Sequence, residues 1–97
     1  MYIIYEETFH ITAQKLIKKS DLTQKALDKT IELFTNNPSH PSLEFKHITC
    51  KFDKDKYSLR ISKNYRILAS KIDNENIIFQ QVLNHKDYDR STKAQNC

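Results

Sequence analysis

The sequence predicts an α+β domain, with a short N-terminal strand, a helical hairpin, and then a small, mostly antiparallel sheet carrying the helices on one face. Three observations predict it. The segment from Phe9 to Phe34 holds two apolar stripes of helical spacing separated by a minimal turn. The stretch from Tyr57 to His85 instead alternates with a period of two and is broken by Lys-Asn and Asp-Asn-Glu-Asn turns. The 97 residues are one domain's length, so both halves must share one core.

Taken in order, Tyr2–Tyr5 reads as a strand. Thr8 is the expected cap of a helix whose stripe is Phe9, Ala13, Leu16 and Ile17. Asp21, with Gln24 three residues on, reads as the capping box of a second helix running to about Thr35. Its stripe is Leu27, Ile31 and Phe34, and Asn36, Asn37 and Pro38 end it. A loop over 36–42 leads to an expected strand from Leu43 to Cys50, with Lys46 sharing a side with Glu44, Ile48 and Cys50. The polar tail after about residue 89 is expected to be flexible, frayed or a short helix.

Composition excludes several chemistries. There is no glycine, which rules out phosphate-cradling Gly loops and dinucleotide fingerprints. No acidic cluster suggests Mg²⁺, and Cys50 and Cys97 are not spaced for zinc, so no cofactor is expected. No apolar run nears the roughly 18 residues of a membrane span, and Met1–His10 lacks a basic leader. A reduced, cytoplasmic chain without a membrane partner is the expectation. The net charge of +4 permits a nucleic-acid partner without demanding one.

The last hairpin carries the chemistry. A turn centred between Asn74 and Glu75 pairs Ile72 with Ile77, Ser70 with Phe79, Leu68 with Gln81 and Arg66 with Leu83. His85 then lies diagonal to Arg66, about 7–8 Å away between Cα atoms. Arg60 faces Arg66 if Ser62-Lys63-Asn64 is a three-residue loop with Asn64 left-handed. It turns to the other face if Lys63-Asn64 alone makes the loop. The three-residue loop is favoured, because burying Arg60 unpaired among Tyr57, Leu59 and Tyr65 is costly.

One face then carries Tyr57, Leu59, Ile61, Tyr65, Ile67, Ala69, Ile78 and Val82, and takes the helices. The other carries Arg60, Arg66, Ser70, Gln81 and His85 among Leu68, Ile72, Ile77, Phe79 and Leu83, with no helix left to cover it. Two guanidinium groups and an imidazole on an open face suit a phosphate. Without metal, RNA can be cut by its own 2′-OH, given a proton carrier and cations for the developing charge. His85 suits the proton transfer, Arg66 and Arg60 the phosphate clamp, Tyr88 a hydrogen bond or base stacking, and Lys46 added charge.

The order of these pieces resembles the RelE/ParE toxin superfamily of bacterial type II toxin–antitoxin modules. The pieces are His40-Pro41-Ser42-Leu43, Leu59-Arg60-Ile61, Tyr65-Arg66-Ile67 and His85-Lys86-Asp87-Tyr88. The resemblance runs from about Tyr2 to Asp89. It implies a RelE-like fold, a cognate antitoxin, and, in the RelE-like branch, cleavage of mRNA in the ribosomal A site and inhibition of translation. It places Arg66, Arg60, Lys46, His85 and Tyr88 at the family's site positions. Glu44 lies one position off a glutamate used by some members and has a weak role. The ParE branch keeps much of this pattern, so a DNA gyrase-poisoning or plasmid-stabilisation toxin, or a degenerate member that only binds its antitoxin, is the alternative.

Overall fold

The computed structural model describes residues 1–94. Its elements are β1 (Tyr2–Tyr5), α1 (Glu7–Lys19), α2 (Gln24–Asn36), a 3₁₀ turn (Pro41–Leu43), β2 (Lys46–His47), β3 (Lys56–Ser62), β4 (Tyr65–Lys71), β5 (Asn76–Asn84) and α3 (His85–Ala94). The five strands form one sheet in the order β1-β5-β4-β3-β2. β1 runs parallel to β5, and every other pair is antiparallel. The α+β expectation holds.

α1 and α2 bury their stripes on one sheet face. Phe9, Ala13, Leu22, Leu27 and Phe34 join Leu59, Tyr65, Ile67, Ala69, Ile77, Phe79 and Val82 in the main core. Phe79 is its aromatic centre, with ring centroids 5.5 Å from Phe34 and 5.8 Å from Phe9. Each such side chain contributes about 1.5–3 kcal/mol on burial. β1 reaches only as far as Phe79, so the outer edge of β5 beyond it needs other partners. α1 supplies them: Thr8 donates to Gln80 O at 2.7 Å, and Val82 N–H donates to Thr12 Oγ1 at 2.9 Å.

Local details depart from expectation where tertiary contacts override local signals. Glu6, not Thr8, precedes the first turn of α1, because Thr8 is held by β5. Thr23 caps α2 by accepting from Ala26 N at 3.1 Å, while Asp21 accepts from the Tyr65 hydroxyl and ties the interhelical turn to β4. The expected strand from Leu43 to Cys50 shrinks to Lys46–His47. Pro41 opens a 3₁₀ turn capped by the His40 ring, and Glu44 follows in the left-handed region at φ 45°. An extended strand cannot run through that backbone.

Two bulges reset the hairpins. On β5 the register shifts by one between Leu68↔Gln81 and Ala69↔Phe79. Leu68–Gln81 and Arg66–Leu83 pair as expected, but toward the turn Ser70 meets Ile78 and Lys71 meets Ile77. Ile77 and Phe79 therefore point into the helix-covered core, and Ile78 takes the opposite face, the reverse of the expected sides. On β3 a bulge between Arg60 and Ser62 lets Ser62 pair with Tyr65 across a two-residue Lys63-Asn64 connection, while Arg60 still pairs with Arg66. The expected pairing stands, but Glu44 is the only non-glycine with positive φ among the described residues, so the device is not a left-handed Asn64.

The second sheet face is not bare. α3 folds back over it, and Tyr88, 7% exposed, packs with Ile48, Leu68 and Leu83 in a small second core. The tail thus continues as helix from His85 to Ala94, and residues 95–97, with Cys97, lie outside the described residues. No helix among the described residues is long and apolar enough to cross a membrane.

Candidate functional site

The strand register writes the second face as rows. Lys46, Ser58, Leu68 and Gln81 form one row across β2, β3, β4 and β5. Arg60, Arg66 and Leu83 form the next. Facing side chains on adjacent strands start about 4.5–5.5 Å apart at Cβ, so the two arginines are immediate neighbours by construction.

Their guanidinium groups are held apart in different ways. Arg66, half-buried, donates from Nη1 to Ser62 O at 2.7 Å and to Tyr65 O at 3.1 Å. Its Cζ lies 5.8 Å from the centre of the Tyr88 ring. Backbone carbonyls and an aromatic face thus fix Arg66 without neutralising it. Arg60 reaches the other way, over the sheet edge, and donates from Nη1 to Glu44 Oε2 at 3.3 Å. Like charges on neighbouring strands explain the divergence, because Glu44 screens one of them.

The remaining expected site residues divide. His85 opens α3 two residues beyond Leu83, the strand partner of Arg66, and its backbone N–H donates to Asn64 O at 2.7 Å. Its ring is exposed and turns along the helix, with Nε2 3.1 Å from Asp89 Oδ2. Lys46 is exposed and sits in the row beside Arg60. Tyr88, expected to touch the substrate, is instead turned inward: its hydroxyl lies 3.0 Å from Ser58 Oγ, and Ser58 is 1% exposed. A buried ring cannot stack on a base, so Tyr88 supports Arg66 from beneath. Ser58 escaped sequence reasoning, since a lone strand serine carries no signal until its partner is known.

Lys56 was also missed. It lies on this face opposite Ser70, is 5% exposed, and donates to Gln80 Oε1 beside Asp53 at 4.0 Å. Burial pushes its pKa down, opposed by the charges of Asp53 and Glu6. Its only warning was its place in alternation with Ser58 and Arg60. No group of three His, Cys, Asp or Glu able to hold a metal occurs among the described residues.

The fold and this basic row invite comparison with known toxins. The ParE-like toxin domain family matches residues 20–90. The chain belongs to that family. YafQ from E. coli strain BL21(DE3) superposes with a TM-score of 0.70 at 15% identity, covering 89% of this chain and 94% of YafQ. A metal-bound toxin from Helicobacter pylori gives 0.69 at 13% identity, covering 90% and 97%. A YoeB/ParE toxin from Agrobacterium tumefaciens gives 0.66 at 10% identity, covering 88% and 99%. Comparison with curated protein sequences finds no match. At these identities the structural likeness establishes the fold, a RelE/ParE-type α+β toxin fold.

Proposed function

We propose that this ParE-like domain is the toxin of a type II toxin–antitoxin pair and cuts mRNA in the ribosomal A site without a metal. The observation that carries the reading is the Arg60–Arg66 pair, set opposite one another on the face away from α1 and α2. Arg66 keeps its charge while its orientation is fixed, which suits a phosphate clamp whose donors need no reorganisation. The 2′-oxygen attacks the adjacent phosphorus, the bond to the 5′-oxygen breaks, and the products are a 2′,3′-cyclic phosphate and a 5′-hydroxyl. A base takes the 2′-OH proton and an acid protonates the leaving oxygen; exposed His85, at the end of the strand that pairs with Arg66, serves one of these roles. Lys46 adds charge on the same face, and Tyr88 positions Arg66. The toxin acts in the cytoplasm, where the ribosome presents its substrate.

An antitoxin partner is supported by a similar fold in the E. coli DinJ-YafQ toxin-antitoxin complex, TM-score 0.69 at 12% identity, covering 88% of this chain and 92% of that one. The ParE-like description of the family favours a second reading, poisoning of DNA gyrase. Cleavage of a defined mRNA, with and without a programmed bacterial ribosome, separates the two. A ribosome-dependent cut that Arg66→Ala lowers at least about a hundredfold is the expected outcome, equivalent to roughly 3 kcal/mol of lost transition-state stabilisation. No cut by the wild type, together with inhibited supercoiling by gyrase, overturns it.

A further inference from the structure

Beside the Arg60–Arg66 pair, β2 stops short. It pairs only with Tyr57 and Ser58, so the outer edge of β3 at Arg60 is flanked by the 3₁₀ turn and α2 instead of a strand. The gap between them is a cavity of about 220 Å³. Its walls are aliphatic, with Ala26 and Leu33 on the α2 side and Ile61 on the β3 side. Its polar groups are Lys29, Ser42, Arg60 and Thr30, whose hydroxyl donates to Ala26 O at 3.0 Å. Lys29 is exposed and makes no ion pair among the described residues, whereas Arg60 is paired to Glu44 alone.

This cavity is smaller than the roughly 300–1,000 Å³ of sites for drug-sized ligands. It is also mostly apolar, which disfavours a bare phosphate or sulfate as its natural occupant. A flat, partly polar ring with a negative charge on either side fits it better. One end is Arg60, already half of the proposed phosphate clamp. A single strand held at Arg66 and Arg60 and continuing over the sheet edge brings its next base to this opening. Single-stranded RNA is read through such splayed bases, and an extruded base can be flanked by apolar as well as aromatic side chains.

We propose that the cavity between α2, the 3₁₀ turn and the β3 edge is a nucleobase subsite for the nucleotide next to the clamped phosphate. The base lies between Ala26, Leu33 and Ile61, the Ser42 oxygen, 2.8 Å from His40 Nδ1, is left to accept from the base edge, and Lys29 meets the following phosphate. This rests on the RNA reading above and adds to it a determinant of sequence preference lying off the arginine row.

The test uses the full chain and a short 2′-O-methyl oligoribonucleotide, which binds but lacks the attacking hydroxyl. Methyl NMR follows Ala26, Leu33 and Ile61, and fluorescence anisotropy follows affinity. Ala26→Phe fills the cavity from a half-buried helix position, and its melting temperature reports whether the fold is kept. The expected result is methyl shifts on titration and about tenfold weaker binding by Ala26→Phe, the loss of about 1.4 kcal/mol. Lys29→Ala, at an exposed position, lowers the salt slope of binding by about 0.7, as loss of one phosphate contact to a single strand requires. Unshifted methyls at millimolar oligonucleotide, or equal affinity of wild type and Ala26→Phe, overturn the subsite. Inorganic phosphate moving the same methyls as far as the oligonucleotide also overturns it, in favour of a plain anion site. The ribosome assay decides the RNA reading separately, because Ala26→Phe leaves Arg66 and His85 in place. A wild type that cuts mRNA with a preference unchanged in Ala26→Phe removes the subsite and leaves the nuclease standing.

Discussion

Tyr88 tests whether the C-terminal helix is structural or merely adjacent. Its hydroxyl and Ser58 Oγ are 3.0 Å apart, and the two residues are 7% and 1% exposed. Tyr88→Phe keeps the ring among Ile48, Leu68 and Leu83, but leaves Ser58 with a buried hydroxyl deprived of this partner. Stranding such a group costs about 1–3 kcal/mol, more than the net worth of the bond itself. In a domain of this size each kcal/mol moves the melting temperature by about 4–8 °C. The expected fall is therefore around 10 °C, read by circular dichroism. Adding Ser58→Ala removes the stranded hydroxyl, so the double variant should melt above the sum of the two single losses. A melting temperature within a degree or two of wild type, or strict additivity in the cycle, refutes the reasoning. Cleavage separates the roles further. If the hydroxyl only braces Arg66 through the ring's position, Tyr88→Phe retains most of kcat at temperatures where it is folded. A hundredfold loss would place the hydroxyl at the reacting atoms.

Other perturbations report on neighbouring parts. Glu44→Asn suits the left-handed backbone at φ 45° and removes the carboxylate on Arg60. Both partners of that pair are well exposed, so stability should change by less than about 1 kcal/mol while RNA affinity rises; a fall in affinity would show that Glu44 positions Arg60 for use. Asp73 accepts from Glu75 N–H, the Asn76 side chain and Asn76 N–H, which holds its carboxyl below the usual value. Its stabilising contribution is present above about pH 4 and lost as pH falls through the lowered folded value, so Asp73→Ala should melt earlier at pH 7 and converge with wild type in acid. Lys56 shifts in the same direction for a different reason, because burial disfavours its charged form. Its folded pKa is lowered, so the unfolded chain binds the extra proton between that value and about 10.5. Wild type should gain stability relative to Lys56→Met as pH rises through that window. A flat difference between the two across alkaline pH would mean the ammonium is solvated.

Burial decided more of this fold than local signals did. The helices were legible because Leu27, Ile31 and Phe34 recur at a spacing that only a helix gathers on one side. Their caps were not, because Asp21 is claimed by Tyr65 and Thr8 by Gln80, residues far away in sequence. The β5 bulge left a trace that strict alternation overlooks. Phe79 and Val82 flank two glutamines, and both face the same core, which an unbroken strand cannot achieve over that spacing. A covering α3 was implied as well, since Ile48, Leu68 and Leu83 make an apolar patch that needed a lid, yet Tyr88 is the only buried residue the described part of that helix supplies. Arg60 shows the difference in strength most directly. Its pairing with Arg66 followed from the cost of burying an unpaired guanidinium, several kcal/mol, against turn alternatives that differ by about one. The chain keeps that guanidinium out of the core through a bulge at Ile61 rather than a left-handed Asn64, because the cost of burial constrains where the charge ends up and is indifferent to the backbone device that puts it there.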